Sequence, residues 1–296
     1  MTAAPVLQGL VIAAYGKRYD VELSDGREIS CVTRGKKSDL ACGDQVEIKL
    51  TDTSEGVIER FLPRSSLLYR SNAYKTKLLA ANVTQIIIVL ATNPSFYEEL
   101  LNRCLIAAEA AGIRALIVLN KCDLADNAQA LERLKLYTSL GYQVQPLSAQ
   151  HDISPLKPWL LSQTSVLVGQ SGMGKSTIVN SLLPDLHIRT REVSAVLDSG
   201  KHTTTAAHFY HLDASSHLID SPGLQEFGLN HLSLDEMEHA FVEFRPFLGK
   251  CRFNNCRHLK EPDCAISQAV AENKIAPERL VCYQGLRKEL AQGQIF

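Results

Sequence analysis

Residues 165–176 read Ser-Val-Leu-Val-Gly-Gln-Ser-Gly-Met-Gly-Lys-Ser, and this stretch decides the fold. The pattern Gly-x4-Gly-Lys-Ser, which begins at Gly169, is typical of a loop that surrounds nucleotide phosphates. It follows a short apolar strand and precedes a helix predicted at 177–183, the context that phosphate binding requires. We therefore expect Lys175 to neutralise phosphate oxygens and Ser176 to bind Mg²⁺. A glycine-rich turn without a ligand is the weaker interpretation.

Two further segments fit magnesium and γ-phosphate chemistry. Asp220-Ser-Pro-Gly223 ends a strand predicted at 217–219, so the Asp220 carboxylate is placed to hold Mg²⁺ through water and the Gly223 amide to reach a γ-phosphate. Gly200-Lys-His-Thr-Thr-Thr205 lies between the two motifs, and one threonine, which we assign as Thr204, is expected to close on the metal. Each segment alone is short enough to arise by chance.

The segment Asn120-Lys-Cys-Asp123 indicates that the base is guanine. A carboxylate at Asp123 accepts from both N1–H and the exocyclic amino group of guanine, whereas adenine would leave it unpaired. Ser148-Ala149 follows the next predicted strand, where the Ala149 amide is expected to donate to guanine O6. The residues predicted to bind the nucleotide are Asn120, Lys121, Asp123, Ser148, Ala149, Gly169, Gln170, Ser171, Gly172, Met173, Gly174, Lys175, Ser176, Thr177, Asp220 and Gly223, with Ser176, Thr204 and Asp220 around Mg²⁺.

The pattern of apolar and polar residues changes twice along the chain, which predicts three domains. Residues 1–65 read as about five short strands with a hairpin signal at Ser24-Asp-Gly26, the pattern of an OB-like or SH3-like barrel. Residues 66–230 alternate apolar strands with helical stretches, so we expect an α/β domain with a parallel sheet covered by helices on both faces. Residues 231–296 read as helical, starting with a capping box at Ser233 and ending with a helix opened by Pro277.

A cluster of cysteines lies in the third segment. Cys251, Cys256, His258 and Cys264 fall within fourteen residues, while the other cysteines are scattered. Four such ligands satisfy tetrahedral Zn²⁺ and leave no open position for a catalytic water, so we predict one structural zinc per chain. Unconnected core cysteines are the alternative, and Cys282 is a spare thiol more typical of apolar packing.

Composition excludes some classes of protein. A net charge of −1 excludes a globally basic nucleic-acid binder, although 60–77 and 245–296 are locally basic and either bind RNA or are simply solvated. No apolar run approaches the length that spans a bilayer, and no lipidation motif is present, so we expect a cytoplasmic protein without a membrane partner. An RNA-binding module with a decayed nucleotide site and a P-loop ATPase or nucleotide kinase are rival functions.

The order of these motifs is permuted, because the guanine motifs precede the phosphate loop. With the barrel and the Cys/His segment, the whole chain resembles the ribosome small-subunit-dependent GTPase A family, also called the YjeQ or YloQ type. The resemblance implies an OB-fold, a circularly permuted P-loop GTPase core and a helical zinc-binding domain. It further implies a monomeric hydrolase that binds GTP and GDP, contacts the small ribosomal subunit and its rRNA, and acts in late assembly with stimulation by the subunit. A guanine-nucleotide switch with a non-ribosomal RNA or protein partner is the alternative.

The residue that orients the attacking water is not the usual glutamine. Leu224 stands directly after the glycine of the Asp-x-x-Gly motif, and Gln225 is a poor substitute. In the family that the chain resembles, the histidine before the threonines is implicated in hydrolysis, which corresponds to His202. We therefore expect His202 and Thr204 to be catalytic, with Lys201 and His208 as nearby alternatives more typical of solvated surface.

Overall fold

The computed structural model describes residues 6–34, 39–71, 76–124, 127–184, 207–220 and 228–293. An N-terminal barrel is formed by strands β1 Val6–Tyr15, β2 Arg18–Leu23, β3 Glu28–Thr33, β4 Gln45–Leu50 and β5 Glu55–Phe61. Their order is β1-β2-β3-β5-β4 with closure from β4 to β1, and the β3–β5 pair alone is parallel. That closed order is the OB-fold. Alternation of buried and exposed side chains along β2 gives the barrel its core.

A hairpin that was not predicted follows the barrel, with strands β6 Leu67–Ser71 and β7 Thr76–Ala81. It overlaps the locally basic stretch 60–77. Two of the five cations of this stretch form ion pairs within the chain. Arg60 pairs with Glu47 and Arg64 pairs with the fully buried Asp44, both at 2.7 Å. The local excess of positive charge is therefore smaller than the sequence indicates.

The central sheet carries the nucleotide motifs. Its strands are β8 Gln85–Ala91, β9 Arg114–Asn120, β10 Gln143–Pro146, β11 Thr164–Val168, β12 His208–His211 and β13 His217–Asp220, in the order β10-β9-β8-β11-β13-β12. All pairs are parallel except β12–β13. β8 is buried along its whole length, as its continuous apolar sequence predicted. The helices between these strands are α1 Glu98–Ala110, α2 Asn127–Ser139, α3 Lys157–Leu160 and α4 Lys175–Leu182.

The barrel joins this sheet edge to edge, giving eleven strands in one continuous order. The junction is a single register pair, Ala13 of β1 with His208 of β12. The same row continues from His208 to Asp220 of β13 and then to Leu167 of β11. The barrel therefore contacts the central sheet through a row of paired residues that ends at Leu167 of the phosphate-loop strand β11.

The C-terminal segment is helical, as predicted, with α5 Leu234–His239, α6 Ala265–Ala271 and α7 Pro277–Gly293. The capping box is confirmed: the Ser233 hydroxyl accepts from the Glu236 amide, and the Glu236 carboxylate accepts from the Ser233 amide. Pro277 opens the last helix. The exact domain limits at 65 and 230 stay a prediction.

A buried ionic network fixes this segment to the central domain. Arg279 of α7 is 1% exposed and donates to Glu243 at 2.5 Å and to the Asn102 side-chain oxygen at 2.7 Å. The same Asn102 oxygen, on α1, accepts from the Tyr137 hydroxyl of α2 at 3.0 Å. Arg279 therefore ties α7 to α1, and the shared Asn102 oxygen extends this network to α2. Within the ranges given above, no helix is long and apolar enough to cross a membrane.

Candidate functional site

The phosphate loop runs from the end of β11 into α4, at the carboxyl edge of the parallel strands. Its backbone requires glycine: Gly169, Gly172 and Gly174 have φ values of +146°, +80° and +94°. A Cβ at Gly174 would lie 2.3 Å from the side-chain nitrogen of Asn120, and one at Gly169 would lie 2.3 Å from the Val89 carbonyl oxygen. The loop is therefore packed directly against β8 and the guanine motif.

Asn120 joins the two halves of the site. Its side chain is 2% exposed, its Nδ2 donates to the Met173 carbonyl at 3.0 Å, and its Oδ1 accepts from the Ala149 amide at 2.9 Å. One amide group thus connects the phosphate loop with the loop after β10. The Ala149 amide that the sequence assigns to guanine O6 donates here to Asn120, so its contact with the base stays a prediction.

Lys121 follows in a left-handed conformation, with φ of +63°. Its Nζ donates to the Asn93 carbonyl at 2.7 Å, which directs the side chain across the site toward the loop after β8. Gln170 has a supporting contact that the sequence did not suggest, because its side-chain oxygen accepts from the Tyr97 amide at the start of α1 at 2.8 Å. Both contacts hold the loops that surround the nucleotide motifs.

Asp123 is held by two side chains from the loop after β10. The Ser148 hydroxyl donates to its Oδ1, and the His151 Nε2 lies 3.6 Å from its Oδ2. The hydrogen bond from Ser148 is the main cause that lowers the pKa of Asp123, with His151 contributing less. The carboxyl group is therefore ionised at neutral pH, as pairing with two guanine donors requires. His151 was not predicted to be part of this site.

Lys175 and Asp220 are the charged groups of the phosphate end. Nζ of Lys175 donates to the carbonyls of Gly169 and Gln170 at 2.6 and 2.7 Å, so the amine lies over the loop. Burial lowers the pKa of Lys175 and raises that of Asp220, and each group's charge opposes the shift of the other. His208, expected to be solvated surface, is instead half-buried on β12, and burial lowers its pKa.

The remaining predicted residues divide into two groups. Ser171, Gly172, Ser176 and Thr177 are exposed along the loop and the first turn of α4, while Met173 is buried beneath it. Ser176 lies in the first turn of α4, directly after the phosphate loop. Asp220 ends β13, which pairs with the phosphate-loop strand β11 at Leu167, so the two residues lie at the same edge of the sheet. His202, Thr204 and Gly223, with Lys201, Leu224 and Gln225, lie outside the described residues.

The four predicted metal ligands come together. The ligand atoms of Cys251, Cys256, His258 and Cys264 all lie within 4.8 Å of one another. The His258 Nδ1 is 3.6 Å from the Cys251 sulfur and 3.2 Å from the Cys264 sulfur, and these two sulfurs are 4.0 Å apart. Zn–S and Zn–N bonds of about 2.3 and 2.0 Å give tetrahedral edges of roughly 3.5–3.8 Å, so the cluster fits a tetrahedral metal ion.

Glu238 supports this cluster, and the sequence did not predict it. Its carboxylate lies 3.1 Å from the His258 Nε2 and accepts from the Tyr283 hydroxyl at 2.7 Å. A carboxylate on the second ring nitrogen of a metal-binding histidine fixes the ring orientation and tautomer. Such a partner is generally expected, but nothing in the sequence says which acid twenty residues upstream supplies it. Cys282 is half-buried on α7 against the large core and is not one of the four ligands.

Comparison with known proteins agrees with this architecture. The model of the RsgA GTPase family matches residues 61–230. "Small ribosomal subunit biogenesis GTPase RsgA" of Nitrosospira multiformis is 52% identical over 293 residues, covering 99% of this chain and 94% of that protein. The Neisseria gonorrhoeae protein of the same name is 52% identical over 280 residues, covering 95% and 91%.

Two solved structures are similar over almost their whole length. YjeQ from Thermotoga maritima has a TM-score of 0.74 and 30% identity, covering 97% of this chain and 99% of that one. YloQ, described as a circularly permuted GTPase, has a TM-score of 0.70 and 25% identity, covering 97% and 96%. Fold and site therefore define a circularly permuted P-loop GTPase. Because the family model matches more than half of the chain and the relatives match nearly all of it, the chain belongs to the RsgA GTPase family.

Proposed function

We propose that this GTPase binds the small ribosomal subunit and acts in late assembly of that subunit, hydrolysing GTP to GDP and phosphate with stimulation by the subunit. The observation that carries the proposal is the phosphate loop and the Asn120–Asp123 motif at one edge of the sheet, on a chain whose relatives, 50–52% identical, are named for small ribosomal subunit biogenesis. A ribosomal partner further supports a cytoplasmic protein with rRNA contacts, and we propose that it works as a monomer.

The nucleotide would be held at three places. Asp123 receives the two guanine donors, Asn120 holds the base loop to the phosphate loop, and Lys175 moves from the loop carbonyls to phosphate oxygens. Ser176, Asp220 and Thr204 would hold Mg²⁺, which supplies charge neutralisation between the β- and γ-phosphates when bound. Asp220 is half-buried, and burial raises its pKa and so opposes its ionisation. A nearby cation such as Mg²⁺ would favour the ionised form, which fits this role.

Orientation of the attacking water is assigned to His202. Leu224 cannot hydrogen-bond a water, and His202 lies two residues before Thr204, so the imidazole is positioned only when the threonine loop is ordered around the γ-phosphate. Slow turnover alone and faster turnover with a partner that orders this loop follow from that arrangement. Replacement of His202 by Ala should reduce stimulated turnover by a factor on the order of 10²–10³ with little change in GTP affinity.

The metal held by the C-terminal cluster is proposed to be zinc with a structural role. The three thiolates and one imidazole prefer Zn²⁺ over the hard cations, and four protein ligands leave no position for a reacting water. Glu238 would hold the His258 ring for this ion through its second nitrogen. The ion would fix the loop between α5 and α6 and so the surface that this loop presents.

Turnover of GTP with and without purified small ribosomal subunits tests the proposal. We expect a clear increase with small subunits and none with large subunits at the same concentration. A variant with Lys175 replaced by Ala should be inactive under both conditions, which controls for contaminating nucleotidases. A flat response to small subunits, with intact GTP binding, would refute the ribosomal part and favour a different RNA or protein partner.

A further inference from the structure

His151 occupies a fixed position beside the carboxylate that is proposed to read guanine. The Ser148 carbonyl accepts from the amides of His151 and Asp152 at 2.9 and 2.8 Å, which closes a tight turn directly after β10. Asp152 in turn accepts from the Ser154 amide at 2.9 Å and stabilises the next residues of the loop. The backbone of His151 is thus held from both sides, although its side chain is 64% exposed.

The two oxygens of Asp123 have different protein neighbours. Ser148 donates its hydroxyl to Oδ1, while the ring nitrogen Nε2 of His151 lies at ion-pair distance, 3.6 Å, from Oδ2. An ionised carboxylate offers about four acceptor positions, two on each oxygen. Ser148 takes one position on Oδ1, and His151 faces Oδ2 at 3.6 Å without a close hydrogen bond, so each oxygen keeps a position for an incoming ligand. A ligand with two adjacent donors, such as the N1–H and exocyclic amino group of guanine, would donate one hydrogen bond to each oxygen of Asp123.

We infer that His151 is a positioning residue for base specificity: together with Ser148 it fixes the plane of the Asp123 carboxylate so that both oxygens face the two guanine donors. The inference rests on the proposed guanine site. Without His151, Ser148 on Oδ1 is the one side-chain partner of this carboxylate left among the described residues, and the carboxylate rotates about its Cβ–Cγ bond. A pair of parallel hydrogen bonds is sensitive to that rotation, whereas a single hydrogen bond tolerates it.

Comparison of GTP with inosine triphosphate separates this role from a general structural one. Inosine keeps N1–H and O6 and lacks the exocyclic amino group, so it forms one of the two bonds to Asp123. Replacement of His151 by Ala should raise the Kd of GTP about fivefold, the value of one net hydrogen bond, and the Kd of inosine triphosphate less than about twofold. The preference for GTP should shrink accordingly, and His151→Gln, which keeps a donor of similar reach, should restore most of it.

The matched control is His239→Ala, which removes another exposed histidine on α5 and should leave both Kd values unchanged. Equal weakening of the two nucleotides by His151→Ala, or an unchanged GTP Kd, would overturn the inference. Asp123→Ala tests the guanine site itself: if that variant binds GTP normally, the proposed base pocket is wrong. If it loses GTP binding while His151→Ala keeps full discrimination, only the role of His151 is refuted.

Discussion

Replacement of Gly174 by Ala tests whether the phosphate loop and the guanine motif are one rigid unit. The new Cβ would lie 2.3 Å from the Asn120 Nδ2, and the backbone φ of +94° is unfavourable for any residue with a side chain. The Asn120 amide cannot simply move away, because it also bonds the Met173 carbonyl and the Ala149 amide. The loop is therefore expected to relax into a different conformation.

The cost of returning to the binding conformation can be worked out from these contacts. Holding a non-glycine residue at positive φ costs roughly 1–3 kcal/mol, and losing the Asn120–Met173 hydrogen bond costs about 1 kcal/mol more. A total of about 2–4 kcal/mol corresponds to roughly 30- to 1000-fold weaker GTP binding, since 1.4 kcal/mol is a factor of ten. Titration with a fluorescent GTP analogue measures this directly.

The matched control is Gly112→Ala, in the turn between α1 and β9. Gly112 also has a positive φ, +65°, but a Cβ there meets no heavy atom within 4 Å. This variant should lose about 1 kcal/mol of stability and keep its affinity for GTP. If Gly174→Ala bound GTP within threefold of the unmodified protein, the packing between Asn120 and the loop would not control nucleotide binding.

Three further predictions follow from separate parts of the molecule. Asp123→Asn should weaken GTP binding and admit xanthosine triphosphate, whose exocyclic oxygen accepts from the new amide; unaltered GTP affinity in a nucleotide titration would refute the base assignment. Glu238→Gln should keep one zinc per chain by elemental analysis but lower the affinity for zinc, measured by competition with a chelator, roughly 10- to 100-fold. An unchanged affinity would show that this carboxylate does not support His258. Arg279→Met should cost about 3–5 kcal/mol in urea unfolding because Glu243 is left charged and buried, whereas the double change with Glu243→Leu should recover most of that loss.

Motif spacing was sufficient to predict that the nucleotide motifs share one edge of the sheet, because each motif lies at the carboxyl end of a strand. Parallel strands bring their carboxyl ends to one edge, so Asn120, Ser148, Gly169 and Asp220 meet even though they come from four different strands or the loops after them. The barrel strands were predictable for a related reason, since alternation of buried and exposed residues has a period of two. The choice of an OB-fold came from the resemblance, and the parallel β3–β5 pair confirms it.

The parts that the sequence did not predict depend on contacts between distant residues. Residues 72–75, between β6 and β7, contain no Gly or Pro, so the sequence lacks the strongest hairpin signals there. β12 is four residues long and polar at both ends, and its pairing with β13 on one side and β1 on the other defines it as a strand. Glu238 and His151 are ordinary surface types in the sequence, and each becomes part of a site through one contact with a residue 20 or 28 positions away.

Pairing of β1 with β12 gives the barrel a direct connection to the magnesium end of the proposed site. The register row Ala13, His208, Asp220 and Leu167 crosses from β1 to the phosphate-loop strand without interruption. His208 also contacts Tyr15 on the barrel edge-to-face, with ring centroids 5.8 Å apart, and Tyr15 is 48% exposed. A partner that binds the barrel beside Tyr15 would therefore also affect the position of the β12–β13 pair, which carries Asp220. Because the barrel and the central sheet share this row, we expect movement of β1 relative to β12 to act first on His208, the residue paired with the proposed magnesium ligand Asp220.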